Sequence, residues 1–111
     1  MKVAIVGSRE LMLEDFSKYL PAEVTEIVSG GARGIDRCAA RYAKKVGLKL
    51  KEFLPDYDQY GKRAPLLRNL EIIEYADLVL AFWDGESRGT RFVIENCKKT
   101  NTPIKIFRVK I

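Results

Sequence analysis

The chain has 111 residues, 47% of them hydrophobic and 32% charged, which is typical of one folded domain with a single core and excludes a disordered chain. Its apolar runs fall far short of the roughly 20 residues that span a bilayer. The net charge of +5 favours anionic partners. Met1 and Lys2 lead directly into an apolar run without a signal-peptide cleavage pattern, so we expect a cytoplasmic protein with no membrane partner.

The residue types present limit the chemistry that the chain can perform. It contains no histidine, which excludes a Ser-His-Asp triad, a histidine general base and the common histidine-containing zinc sites. Its two cysteines, Cys38 and Cys97, lie in predicted helices without a CxxC spacing. We interpret both cysteines as small buried side chains, and we expect no metal site.

Hydrophobic patterning predicts five strands and four helices in strict alternation. In chain order these are a strand over 3–6, a helix over 13–20, a strand over 26–28, a helix over 34–46, a strand over 48–54, a helix over 62–75, a strand over 78–82, a helix over 92–99 and a strand over 104–109, with longer loops over 55–61 and 83–90. In the third helix, Leu66, Leu70 and Ile73 are expected on the buried face.

Strict alternation of strands and helices favours a parallel sheet with helices on both faces. We therefore predict a single Rossmann-like, doubly wound α/β domain over residues 1–111, with five strands in the order 3-2-1-4-5. The first and fourth strands are the most apolar, as expected for adjacent central strands. Ligands of open α/β sheets bind where the chain reverses direction between such strands, outside their carboxyl ends.

Three predicted strand ends combine glycine, a hydroxyl group and arginine. Glycine allows close approach of the backbone, the N–H groups that begin a helix attract anions, and arginine binds phosphate through two nitrogens. The joint pattern predicts a site for a small phosphate-bearing ligand. The residues are Gly7, Ser8 and Arg9 after the first strand; Ser29, Gly30, Gly31, Arg33, Gly34 and Asp36 after the second; and Trp83, Asp84, Gly85, Ser87, Arg88, Gly89 and Thr90 after the fourth.

None of these motifs is a nucleotide fingerprint on its own. Gly7 to Arg9 is as compatible with an ordinary capped turn as with a ligand site. The second motif begins with Ser29, where a dinucleotide fingerprint has glycine, and no GK[ST] closes it as a P-loop requires. Arg68 and Asn69 fit either a solvent-facing helix or side chains that reach the cleft. Trp83 and Tyr57 fit either ordinary packing or stacking on a base.

With SGGARGID at 29–36, Arg68-Asn69, and AFWDGESRGT at 81–90 in this order, the chain resembles the SLOG superfamily, most closely its YspA/YpsA-related branch of small bacterial and phage proteins. The resemblance covers almost the whole chain. It implies a Rossmann-like sensor or carrier module that binds a nucleotide or a derivative such as an ADP-ribose-type ligand. It also implies that Arg68 and Asn69 belong to the ligand site.

The same resemblance leaves two alternatives and names the residues that bear on them. The LOG-type phosphoribohydrolases of the superfamily carry the pattern PGGxGTxxE, whereas here Val93 stands at the acidic position and Glu95 is offset. The first alternative is a LOG-like nucleoside-monophosphate phosphoribohydrolase, for which Asp36 and Asp84 are the candidate catalytic carboxylates.

The second alternative is single-stranded DNA binding, as in the superfamily member DprA. We rank nucleic acid as an unlikely partner because the few aromatic residues are not interleaved with the basic ones. The resemblance also leaves a homodimer open, with Tyr42, Leu67 or Phe92 as interface or core residues.

Overall fold

The structure is a computed structural model that describes residues 1–109, so residues 110 and 111 of the predicted domain lie outside the described part. Five strands form one sheet in the order β3-β2-β1-β4-β5, and each pairing is parallel. The predicted strand order and α/β fold class are therefore confirmed. The strands are β1 (Lys2–Gly7), β2 (Glu26–Ser29), β3 (Lys49–Glu52), β4 (Leu78–Trp83) and β5 (Ile104–Arg108).

Helices cover both faces of this sheet, as predicted. The helices are α1 (Ile35–Val46), α2 (Tyr57–Tyr60), α3 (Ala64–Tyr75) and α4 (Arg88–Thr100), and a 3₁₀ turn (Gly61–Arg63) precedes α3. Helix α1 packs with Val3 and Ile5 on one face, whereas α3 and α4 pack with Ala4 and Val6 on the other. Alternate residues of β1 therefore point into two separate cores, as the pleat of a strand requires.

The helix predicted over 13–20 does not form, so the prediction of strict alternation is wrong between β1 and β2. The Asp15 carboxylate accepts a hydrogen bond from Ser17 N at 2.9 Å, and Tyr19 N donates to Phe16 O at 3.0 Å. These local turns compete with helical hydrogen bonding. Phe16 is fully buried and makes edge-on contacts with Tyr42 and with one other ring of the same core. A loop with one deeply inserted aromatic thus replaces the expected helix.

The prediction of which side of α3 is buried is wrong, and the difference affects the candidate ligand site. Leu66 and Leu70 are exposed, and Arg68 and Asn69 are buried together with Ile73. The helix is thus rotated so that its polar pair faces the carboxyl end of the sheet. The largest further differences are that the predicted loop over 55–61 contains the short helix α2 and that α4 begins at residue 88 instead of 92.

Candidate ligand site

A cleft of about 360 Å³ opens at the carboxyl ends of β1 and β4, at the reversal point of the sheet. We call it the main cleft. Its volume lies in the roughly 300–1,000 Å³ range of small-molecule sites. Its polar wall consists of Arg9, Glu10, Asp36, Arg68, Asn69, Asp84, Ser87 and Thr90, and the remaining wall consists of Val6, Gly7, Ala32, Pro65, Leu66, Gly89 and Val93.

The amino end of α4 opens into the main cleft without a side-chain cap. Ser87, the residue before the helix, makes no capping bond to the helix backbone, and its hydroxyl lies 3.3 Å from that of Thr90. A Cβ added at Gly89 would meet no atom within 4 Å. The first N–H groups of a helix have no partner inside the helix, and together with the helix dipole they favour a bound anion.

The loop before α4 is held by its own backbone. The Asp84 carboxylate accepts hydrogen bonds from Glu86 N and Ser87 N, each at 2.8 Å. The bond from Glu86 N, followed by that from Ser87 N, lowers the pKa of Asp84. Asp84 N in turn donates to the buried Ser8 Oγ at 3.2 Å, which joins the ends of β4 and β1. The Asp84 carboxylate is therefore occupied in fixing the loop, and it remains charged.

Asp36 and Arg68 also line the main cleft and are buried together, each with 6% of its surface exposed. Arg68 Nε donates to Asn69 Oδ1 at 2.8 Å, and its Nη1 donates to Gly30 O. A Cβ at Gly30 would lie 2.8 Å from Arg68 Nη1 and 2.9 Å from Asp36 Oδ2. Only glycine leaves room for both charged groups at this position.

Burial dominates the electrostatics of this pair. It raises the pKa of Asp36 to about 6, although the positive charge of Arg68 and a hydrogen bond from Ala32 N act in the opposite direction. Burial also lowers the pKa of the Arg68 guanidinium, against the attraction of Asp36. A carboxyl group in a cleft with a raised pKa is a common feature of functional sites, because it can exchange a proton near neutral pH.

Several predicted ligand residues use their polar groups inside the fold. Ser29 Oγ donates to Asp36 O at 3.0 Å and accepts from Gly31 N at 3.3 Å. Gly34 has a φ of 77°, and a Cβ there would lie 2.5 Å from the backbone oxygen of Arg9. A Cβ at Gly7 would meet the Ile35 side chain at 2.6 Å. Of Ser8, Ser29, Gly34 and Gly7, only Gly7 lines the main cleft.

Nine predicted residues lie outside the wall of the main cleft: Ser8, Ser29, Gly30, Gly31, Arg33, Gly34, Trp83, Gly85 and Arg88. Arg33 is exposed and forms an ion pair with Glu10 at 2.9 Å. Trp83 Nε1 donates to Ser87 O at 3.1 Å, and the guanidinium of Arg108 lies 5.7 Å from its ring centroid. Gly85 has a φ of 90° and packs against Arg108. Arg88 is exposed on the first turn of α4.

Sequence reasoning missed some lining residues. Glu10 adds a carboxylate to the main cleft, and only its place directly after Gly7-Ser8-Arg9 could have indicated this. Val93 also lines the main cleft, so the position that holds an acid in LOG-type enzymes faces the site with an apolar side chain. Tyr42, one of the interface alternatives, lies in the core against Phe16.

Three further features of the described residues concern metal binding, membrane crossing and the cysteines. Within residues 1–109, no three His, Cys, Asp or Glu side chains come close enough together to hold a metal ion. Across the same residues, no helix has both the length and the apolar character needed to cross a membrane. The two cysteines are free and buried, as predicted.

Comparisons with known proteins find relatives for the amino-terminal half and for most of the chain. Residues 1–56 match the family described as DNA recombination-mediator protein A. This segment includes β1, β2, α1 and β3, and therefore the turns that follow β1 and β2. The Gene 61 protein of Mycobacterium phage D29 is 38% identical over 84 residues, which cover 70% of this chain and 67% of that protein. No solved structure matches the chain.

Proposed function

The chain belongs to the DNA recombination-mediator protein A family, and we propose that its main cleft binds a phosphate-bearing nucleotide or nucleotide derivative, as a sensor or carrier module. The observation that carries this proposal is the uncapped amino end of α4, which opens into the cleft that Arg68 also lines. We also propose that the chain lies in the YspA/YpsA-related branch of the SLOG superfamily. The order of its motifs and its phage relative support that placement.

Arg9, Arg68 and the amino end of α4 favour a phosphate in the main cleft, whose wall also carries three carboxyl groups. Arg9 is exposed at the cleft and free to move onto a ligand. Arg68 is already fixed by Asn69 and Gly30 O, so binding a phosphate requires little further ordering of its side chain. The Asp84 carboxylate is bound to backbone N–H groups of its own loop. Near pH 6, a protonated Asp36 can donate a hydrogen bond to a ligand oxygen.

Gly89 offers a direct test of the anion site. Gly89→Asp places a carboxylate in the first turn of α4, where there is open space and where the helix dipole favours a negative charge. The free protein should therefore be as stable as the wild type or more stable. A bound phosphate should be strongly repelled. Gly89→Asn has the same shape without the charge and serves as the matched control.

The assay is a thermal-shift panel of AMP, ADP-ribose, NAD and cyclic nucleotides, followed by calorimetric titration of the compounds that raise the melting temperature. We expect at least one hit, with binding lost in Gly89→Asp and retained in Gly89→Asn. The Arg88→Ala variant, which removes an exposed arginine of the same turn, should bind the ligand as the wild type does. The proposal is wrong if no compound binds, or if Gly89→Asp binds as tightly as Gly89→Asn.

Single-stranded DNA is the second candidate ligand, favoured by the family match and by one surface. Arg37 and Arg41 are exposed one turn apart on α1, and with Arg9 and Arg33 they line an open depression of about 370 Å³. The matched segment 1–56 contains all four. Regularly spaced arginines that face solvent are suited to contact successive phosphates.

A gel-shift titration over a range of salt concentrations tests this candidate. The double variant Arg37→Ala/Arg41→Ala should weaken binding and reduce the dependence on salt, since about one ion is released for each phosphate contact. The control is Lys98→Ala/Lys99→Ala, which removes the same charge at the far end of α4. Equal loss in both double variants would indicate attraction by net charge alone.

Hydrolysis of the ligand is not part of this proposal. Val93 lines the cleft at the position where LOG-type enzymes carry an acid, and Asp84 is held by backbone N–H groups. Asp36 is the remaining candidate for proton transfer. Incubation with AMP followed by chromatography tests this directly, because hydrolysis would release free adenine.

A further inference from the structure

A second cleft of about 410 Å³ lies beside the main cleft and shares Arg9, Ala32 and Arg68 with it. We call it the side cleft. Its other walls are the turn at Gly30 and Gly31, the Arg33 side chain, and the segment that carries Pro55 and Tyr57. The two clefts therefore meet at the same two arginines, and one ligand could contact both.

The two clefts differ in chemistry. Three arginines and no carboxylate line the side cleft, whereas Glu10, Asp36 and Asp84 all lie in the wall of the main cleft. The side cleft also has an aromatic ring and a proline on its outer wall. An aromatic face beside guanidinium groups is the usual environment for a stacked nucleobase.

Tyr57 has no packing role that explains an aromatic residue at this position. It is 57% exposed, and its short helix α2 contains no buried residue. The Asp56 carboxylate holds the start of that helix by accepting from Gln59 N at 3.1 Å. Tyr57 therefore lines the side cleft from a short helix whose first turn is capped by Asp56.

Arg68 connects the two clefts. Its two side-chain hydrogen bonds use Nε and Nη1, so within residues 1–109 its Nη2 has no protein acceptor. The side chain is 6% exposed and lines both clefts. A fixed, buried guanidinium with free donors at a junction is placed to bind the linking part of a ligand that extends in both directions.

We propose that the side cleft is the base subsite of the ligand, with the base stacked on Tyr57 while the attached phosphate lies at the amino end of α4. Arg9 and Arg68 then lie between the two parts. This inference rests on the proposed function, and it narrows the ligand to a base-bearing nucleotide as opposed to a free sugar phosphate. It makes Tyr57 a residue that determines specificity.

Three variants and three probes test the inference by calorimetric titration. The variants are Tyr57→Ala, Tyr57→Phe and the control Tyr60→Ala, which removes the other exposed ring of α2 away from the side cleft. The probes are AMP, ADP-ribose and the base-free ribose 5-phosphate. We expect Tyr57→Ala to weaken the base-bearing probes about tenfold or more, from the loss of stacking. Ribose 5-phosphate should be unaffected.

The control variants define what would overturn the inference. Tyr57→Phe keeps the ring and should bind like the wild type, as should Tyr60→Ala. If Tyr57→Ala leaves AMP and ADP-ribose binding unchanged, or weakens ribose 5-phosphate as much as the nucleotides, the base subsite is wrong and the proposed function stands. If the wild type binds none of AMP, ADP-ribose, NAD and the cyclic nucleotides, both the subsite and the nucleotide proposal fail.

Discussion

The buried Asp36 carboxyl group makes protein stability depend on pH in a specific direction. Its pKa is raised by burial from 3.8 to about 6 in the folded protein. A group whose folded pKa lies above its unfolded pKa binds its proton more tightly in the folded state. Its contribution to stability is complete below about pH 4 and is lost as the pH rises through about 6.

The size of this effect follows from the two pKa values. A rise from 3.8 to about 6 corresponds to about 3 kcal/mol, at about 1.36 kcal/mol for each pKa unit. Asp36→Asn replaces the carboxyl group with a neutral group of the same shape, so it removes this dependence. Residue 36 carries no negative charge in the Asp36→Asn variant, and it carries none in the wild type when Asp36 is protonated. Arg68 therefore has an uncharged neighbour at this position in both proteins at low pH. The cost of burying Arg68 therefore largely cancels when the two proteins are compared at low pH.

The measurement is the free energy of unfolding of wild type and Asp36→Asn, from urea denaturation followed by circular dichroism at pH 4 to 7. Relative to the wild type, Asp36→Asn should gain about 2 kcal/mol between pH 4 and pH 7, because part of the contribution is already lost at pH 4, just above the unfolded pKa of 3.8. Asp58→Asn, an exposed change of the same charge, provides the control. A difference that does not vary with pH, or that varies in the opposite direction, would refute the reasoning.

Three further predictions concern the fold. Phe16→Ala should destabilise the protein by about 3–5 kcal/mol in urea denaturation, because a fully buried ring leaves a cavity; a loss below about 1 kcal/mol would mean that the loop over 8–25 does not cover the core. Gly47→Ala should lower the free energy of unfolding by only about 1 kcal/mol, because Gly47 has a φ of 79° but open space around it. Gly34→Ala would in addition collide with the backbone of Arg9, so it should prevent stable folding. Soluble expression and urea denaturation of the two variants test this difference. Cys97, whose pKa is raised to about 11 by burial, should resist Ellman's reagent at pH 8 until urea is added, and rapid labelling of this thiol in the native protein would contradict its placement.

The sheet was predictable because its central strands leave little ambiguity. Val3 to Val6 and Leu78 to Phe82 are continuous apolar runs, and strands buried on both faces have this pattern. Helix α1 was equally clear, since its amphipathic pattern ends at Gly47, which adopts the left-handed conformation at the helix end. Both signals are local, so the sequence around each element was sufficient.

The errors arose where distant contacts decided the local structure. Phe16 inserts into a core built by α1 and β4, and no periodicity within 13–20 reveals this. Arg68 is buried because Gly30 O and Asn69 accept its hydrogen bonds, and Gly30 lies 38 residues earlier in the chain. The buried face of α3 therefore carries the polar residues Arg68 and Asn69, and not Leu66 and Leu70 as the helical pattern predicted.

The location of the candidate site was predictable, but the contacts that each of its residues makes were not. Parallel strands place their carboxyl ends at one edge, so the three glycine-rich turns had to meet. The hydroxyl groups of Ser8 and Ser29 nevertheless form hydrogen bonds inside the fold. The hydroxyl group of Ser87 lies near that of Thr90, and both residues line the main cleft. A serine after a strand has the same sequence signature whether its hydroxyl holds a turn or a ligand.

The chain has a single tryptophan, Trp83, and its indole is hydrogen-bonded to the residue that precedes α4. Indole emission responds to changes in hydrogen bonding and in nearby charges, and the guanidinium groups of Arg91 and Arg108 each lie 5.7 Å from the centre of this ring. The protein therefore carries its own optical reporter at the turn where an anion would bind. Occupancy of that turn can be followed in unlabelled protein, at low concentration and in real time.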